Sequence, residues 1–234
     1  MKKTGSILVA ILLVACTALG DAEDRKKQED RLHNAGEVMT AVLNMPDTIP
    51  QSVLDKTKCV VVVPSVVKAA FVVGGSYGRG AMVCRSGKDF TGPWGAPSMM
   101  ALEGGSFGLQ IGVDATDFVF LIMNERGASS LLHSKVKLGG DAEAAAGPVG
   151  RNAEADTDAY MRAEILTYSR ARGVFAGVSL EGSTLRPDND ANEALYGQKV
   201  PAREIVLRNG EQIPRASRQL DGLLDKVTPH PANG

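Results

Sequence analysis

Four short apolar runs set the architecture: Cys59 to Val63, Ala70 to Val73, Ala81 to Cys84 and Phe118 to Met123, each bounded by Gly, Pro or a charged residue. Runs this short, rich in β-branched residues, read as buried strands. Residues 174–180 alternate instead, with Val174, Ala176, Val178 and Leu180 on one face and Phe175, Gly177 and Ser179 on the other, the period of a half-buried strand. Helical spacing frames the strands: Leu32, Ala35, Val38, Met39, Val42 and Leu43 form one stripe, and further helices are expected at about 125–133, 189–196 and 215–226. The strands cluster and do not alternate with long helices. The pattern therefore predicts a single α+β domain with an antiparallel, barrel-like β-sheet and flanking helices.

Glycines at 74, 75, 78, 80, 104, 105, 108 and 112 punctuate this region and suggest hairpins, bulges or close backbone approach. Two of the clusters echo each other, Gly74-Gly75-Ser76-Tyr77-Gly78 and Gly104-Gly105-Ser106-Phe107-Gly108. They predict equivalent turns in two hairpins. Both also match G-x-S-x-G, and Asp114 or Asp117 with His133 would complete a Ser, Asp, His order. That motif needs a strand, a sharp turn and a helix, whereas Ala81 to Cys84 and Leu109 to Gly112 are strand-like, so a hydrolase is not expected.

The N-terminus reads as an export signal. Lys2 and Lys3 precede an uncharged run from Gly5 to Ala15, too short to span a bilayer. The run ends in Leu13-Val14-Ala15-Cys16, a bacterial lipobox pattern in which Cys16 is lipidated after residues 1–15 are removed. The alternative is a soluble signal, 1–20, cut after Ala18-Leu19-Gly20. Thr17 after the cysteine fits outer-membrane sorting, so the expected location is the periplasmic face of the outer membrane, or the soluble periplasm under the alternative cut. The charged residues 16–31 then form a tether, 32–226 the domain and 227–234 a frayed tail. The stripe that starts at Leu32 could lie on a bilayer behind Lys26, Lys27 and Arg31. Its expected role is to cover the sheet.

Lys plus Arg number 26 against 27 Asp plus Glu, a net charge of -1, so no bulk field draws the chain to nucleic acid. Loss of Lys2 and Lys3 leaves the mature chain still mildly acidic. Cys59 and Cys84 are an even pair in an oxidising compartment, for which a disulfide is the natural pairing. A meander over 58–64, 69–74 and 79–85 would instead hold them two strands, about 9.6 Å, apart, beyond bridging distance. Both outcomes stay open. His33, His133 and His230 are too dispersed for a metal site, and no Cys/His cluster is present. Asp188-Asn189-Asp190-Ala191-Asn192 begins like a calcium loop but puts Glu193 at the turn glycine and Lys199 at the bidentate carboxylate. Pro187-Asp188 is expected to open a helix instead. No phosphate-cradling glycine motif occurs, so no cofactor is expected.

Two basic pairs remain. Lys135 and Lys137, and Arg170 and Arg172, sit two apart, which in extended chain puts each pair on one face about 6.6 to 6.8 Å apart. Arg151 follows Gly147-Pro148-Val149-Gly150, a turn whose amides could add to an anion nest. A solvated or ion-paired face is the competing reading of all five.

Lys58 to Pro64 (KCVVVVP), Gly74 to Arg85 (GGSYGRGAMVCR), Trp94-Gly95-Ala96-Pro97, Gly104 to Gly112 (GGSFGLQIG), Leu138 to Arg151 (LGGDAEAAAGPVGR) and Tyr168 to Ser183 (YSRARGVFAGVSLEGS) occur in the order seen in the SYLF domain family. The chain resembles that family over roughly residues 30–226, and resembles its bacterial exported branch. The resemblance implies a lipid-binding module and no enzyme. Eukaryotic relatives bind phosphoinositide membranes and fungal ones also bind actin, but neither ligand is expected in a periplasm. What carries over is affinity for an anionic phospholipid membrane, through Lys135, Lys137, Arg151, Arg170 or Arg172, with an envelope protein partner as the alternative.

Overall fold

The computed structural model describes residues 4–70, 73–87, 89–107, 115–150, 162–171, 173–207 and 213–228, with side chains of 4–19, 68–70, 73–74 and 105–107 left aside. Among these residues nine strands form one sheet: β1 (Cys59–Ala70), β2 (Val73–Cys84), β3 (Ser98–Phe107), β4 (Ala115–Ile122), β5 (Val136–Lys137), β6 (Ala144–Ala146), β7 (Ile165–Ala171), β8 (Val174–Gly177) and β9 (Thr184–Pro187). Their order is β5-β9-β3-β2-β1-β4-β7-β6, with β8 paired to β7. All pairings are antiparallel except β6 on β7. The sheet curls into a half-barrel within a single α+β domain, the expected class. Six helices flank it: α1 (Thr4–Leu43), α2 (Gln51–Leu54), α3 (Glu125–His133), α4 (Asn189–Tyr196), α5 (Ala202–Leu207) and α6 (Arg218–Val227).

Strand alternation sorts the core into two faces. Val61, Val63, Met82, Met100, Phe120 and Ile165 point one way, toward Leu131 and Leu132 of α3 and Val206 of α5. Val60, Val62, Val83, Val119, Leu121 and Leu166 point the other way, toward Ala35, Val38, Met39 and Val42 of α1 and Leu220 and Leu224 of α6. Leu32 adds a contact with Ala81, Met99 and Leu195. The stripe read from the sequence thus covers the sheet. The helix also runs through the charged tract read as a tether: Gln28 is buried and Arg25 donates to the Leu195 carbonyl at 2.8 Å. The reason is physical: a tract of good helix formers continues the helix, and α4 accepts its side chains.

The strand boundaries differ from the expected meander. β1 and β2 are each 12 residues long and pair almost end to end, so no middle strand over 69–74 separates 58–64 from 79–85. Cys59 therefore stands directly opposite Cys84, Cα atoms 4.0 Å apart, and their sulfurs are bonded. The bond ties positions 25 residues apart, a loop whose closure removes about 3.5 kcal/mol of denatured-state entropy. Reduction, or paired Cys59→Ala and Cys84→Ala substitution, is expected to lower the denaturant midpoint by that stability. An unchanged midpoint under reductant would overturn this.

The glycine echo is also not a pair of turns. Gly74 pairs with Ser106, Gly75 with Gly105 and Ser76 with Gly104, so the two copies are neighbouring stretches of β2 and β3. Ser76 lies inside a strand, its hydroxyl 3.4 Å from the Gly104 carbonyl, without the strand-turn-helix context of a nucleophile elbow. The glycines admit a bulge in β1, between Val63 and Val66 on the β4 side, where Ser65 takes φ 50°. A Cβ on Gly80 would lie 1.9 Å from the Val62 carbonyl oxygen, and one on Gly78 2.5 Å from the Val66 side chain.

Candidate functional site

Beside the β1 bulge the α1-facing side of the sheet is partly exposed, at Val67 and Tyr77. On β2, Tyr77 and Arg79 point to that side; across the ladder they stand opposite Glu103 and Ala101 of β3, which pair with Thr184 and Arg186 of β9. Arg31, at the edge of the α1 stripe, meets Tyr77 and Arg79 at the bulge, where the three line a shared cleft. Asp188, which follows β9 and caps α4 by accepting from the Ala191 amide at 3.3 Å, faces Arg79. This is the helix-opening role expected for Pro187-Asp188.

Glu103 and Asp188 between them bind three cations here. Glu103 accepts from both Nε and Nη2 of Arg186, at 2.9 and 2.7 Å, and lies 3.5 Å from Lys135 Nζ. The Arg186 hydrogen bonds hold the Glu103 carboxyl below its ordinary value, and the same bonds raise Arg186. Arg79 Nε donates to the Tyr77 hydroxyl at 2.6 Å and lies 2.9 Å from Asp188 Oδ2. Arg31 Nη1 donates to Gln28 Oε1. Burial, and then the neighbouring Arg79 charge, depresses Arg31. Tyr77 and its cross-strand neighbour Val67 are about half exposed, 47% and 46%.

The residues expected from sequence are not brought to one place. Lys135 and Lys137 flank buried Val136 at edge strand β5, both exposed and on one side as expected, and Lys135 is drawn to Glu103. Arg170 is on β7, toward the other end of the sheet, bonded to Asp117 Oδ2 at 2.8 Å. Asp117 Oδ1 in turn accepts from the Ser65 amide at 2.9 Å, so Arg170 braces the β1 bulge. Arg151 and Arg172 lie outside the described residues. The amides of Gly147 and Gly150 donate to the Thr167 and Thr48 carbonyls, so they are spent inside the fold and do not form a nest. His133 contacts Arg203 at the end of α3. Among the described residues no cluster of His, Cys, Asp or Glu could hold a metal.

Sequence reasoning missed Arg79 and Arg186, and placed Arg31 only among the charges that precede the helical stripe. Tyr77 and Arg79 do alternate on one strand face, a readable signal. Nothing in the spacing joins that strand to α1 or β9.

Fold and surface together define a half-barrel α+β domain with a cleft lined by two arginines. A family model described as Ysc84, Las17-binding protein actin regulator, matches residues 103–227. An SH3 domain-containing protein of Schizosaccharomyces pombe is 38% identical over 181 residues, 74% of this chain and 41% of that protein. Protein YSC84 of Saccharomyces cerevisiae is 35% identical over 187 residues, 79% of this chain and 39% of its own length. SH3 domain-containing YSC84-like protein 1 of Homo sapiens is 35% identical over 187 residues, 79% of this chain and 53% of its own. The chain belongs to the Ysc84, or SYLF domain, family. It spans about half or less of the length of these relatives.

Proposed function

We propose that this chain is an exported, lipid-anchored protein of the bacterial envelope whose SYLF domain contacts anionic phospholipid headgroups and acts by binding, without a catalytic step. The observation that carries this reading is the meeting of Arg31 and Arg79 at one cleft, beside half-exposed Tyr77 and Val67. Cations flanking exposed apolar side chains are the chemistry of an interfacial contact. Anchoring through Cys16 is supported by the lipobox spacing, and two acyl chains there would suffice for attachment. The domain contact would then serve recognition, at the periplasmic face of the outer membrane.

A Saccharomyces cerevisiae relative named LAS seventeen-binding protein 3, 36% identical over 168 residues, favours a second reading in which the domain binds an envelope protein. Flotation of residues 21–234, which keep the docked part of α1, separates the two. The expected result is flotation with vesicles of phosphatidylcholine and phosphatidylglycerol at low salt, weakening as salt rises, and none with phosphatidylcholine alone. Failure to float with either would overturn the lipid reading in favour of the protein partner.

A further inference from the structure

The cleft at the β1 bulge has a volume of about 260 Å³, below the range of drug-sized pockets and suited to a small ion or a single headgroup. Its lining includes Arg31 and Asn34 from α1, Ser65 from the bulge and Tyr77 and Arg79 from β2. We propose that it is a binding site for a phosphate-type oxyanion, gripped between the guanidinium groups of Arg31 and Arg79 with the Tyr77 hydroxyl as a further donor. The proposal draws on the membrane reading only for one possible source of the anion, not for the site.

Three features support it. First, the two guanidiniums share too little negative charge. Asp188 Oδ2 faces Arg79, while Asp188 Oδ1 is committed to the α4 cap. Asp24, the other carboxylate whose field reaches Arg31, is already held by Lys27 at 3.1 Å. Arginine stays charged at any working pH, so two guanidiniums lining one cleft repel until an anion enters; burial is the main cause that depresses Arg31, and the Arg79 charge adds to it. Second, the donors are open. Arg79 uses Nε toward Tyr77 and Asp188, and among the described residues its two terminal nitrogens have no acceptor. Tyr77 accepts from Arg79 and so keeps its own proton to donate. Third, the site is braced: the Ser65 amide is fixed by Asp117, which Arg170 holds, and Gly78 lets β1 close against β2. A fork of two planar guanidiniums matches a tetrahedral oxyanion.

The test titrates inorganic phosphate into the full chain and follows its melting temperature, which rises with any ligand that prefers the folded state. Vesicles of phosphatidylcholine with phosphatidic acid form the second arm. Arg79→Gln is expected to weaken phosphate binding about tenfold, the cost of one charge-assisted contact, and Arg31→Gln with Arg79→Gln to abolish it. Tyr77→Phe, which keeps both cations and the strand, is expected to weaken it less. Lys137→Gln, at an exposed position of β5 outside the cleft, should leave it unchanged. Loss of both phosphate and vesicle binding in the double variant assigns the cleft to a lipid phosphate. Loss of phosphate binding with vesicle binding unaltered assigns it to a soluble phosphate and leaves the membrane contact elsewhere. Phosphate binding by a chain that meets no vesicle would retire the membrane reading and keep the site. Absence of a phosphate shift in the wild type, or an equal shift in the double variant, would overturn the proposal.

Discussion

Gly80→Ala is expected to destabilise the domain by at least about 3 kcal/mol, lowering the melting temperature by roughly 6 to 12 °C for a chain of this size. The added carbon would fall 1.9 Å from the Val62 carbonyl oxygen and 2.7 Å from the Val63 Cα. These are backbone atoms of a paired strand, which cannot swing aside as a side-chain tip can. Relief requires β1 to lift from β2 just before its bulge, breaking the Val62 and Ala81 pairing and disturbing the cleft lined by Ser65, Tyr77 and Arg79. Gly222→Ala is the matched control. Nothing lies within 4 Å of its added carbon, in the body of α6, so helix propensity alone should stabilise it by about 1 kcal/mol. A Gly80→Ala protein that melts with the wild type would mean that the strands do not approach so closely.

That glycine shows where sequence reading stopped. The apolar runs, the α1 stripe and the helices near 125–133, 189–196 and 215–226 were legible because burial on one side imposes a period on the chain. Glycine carries no period. The same residue type serves a turn, a bulge or a close approach, and only the partner strand decides which. The echo at 74–78 and 104–108 therefore suggested two turns where the chain places two paired strands. Miscounting those turns split β1 and β2 into a meander and moved Cys84 away from Cys59, although each cysteine sits at the outer end of its own strand. The cationic cleft was illegible for a related reason. Lys135 and Lys137 announce themselves by alternation, but Arg31, Arg79 and Arg186 come from a helix and two strands that only the sheet order brings together. Arg170, equally conspicuous in the sequence, is engaged with Asp117 and holds up the bulge.

Asp221→Asn is expected to stabilise the protein at pH 8 and to leave it unchanged near pH 3. Asp221 sits on the buried side of α6 between Leu220 and Leu224, against α1, and is 6% exposed. Burial pushes its carboxyl from 3.8 up to about 7; the Ser217 hydroxyl, donating at 2.8 Å, opposes the rise, and Asp225 adds to it. Its other oxygen has no partner among the described residues, so the ionised form is poorly compensated. In the unfolded chain the group ionises near its ordinary value. Below that value both states hold the proton and the residue costs nothing. As pH rises from about 4 to 7 the unfolded chain releases its proton while the folded chain retains it, so stability falls through this window and levels off once the folded carboxyl also ionises. The full loss is on the order of 4 kcal/mol. Asn keeps the shape and an acceptor for Ser217 without the ionisation, at the cost of a buried amide that is smaller than that of a buried charge. Denaturant midpoints of both proteins across this range should converge at acid pH and separate above neutrality, the wild type being the weaker. A constant difference between them would place the Asp221 carboxyl in contact with water and its titration in the ordinary range.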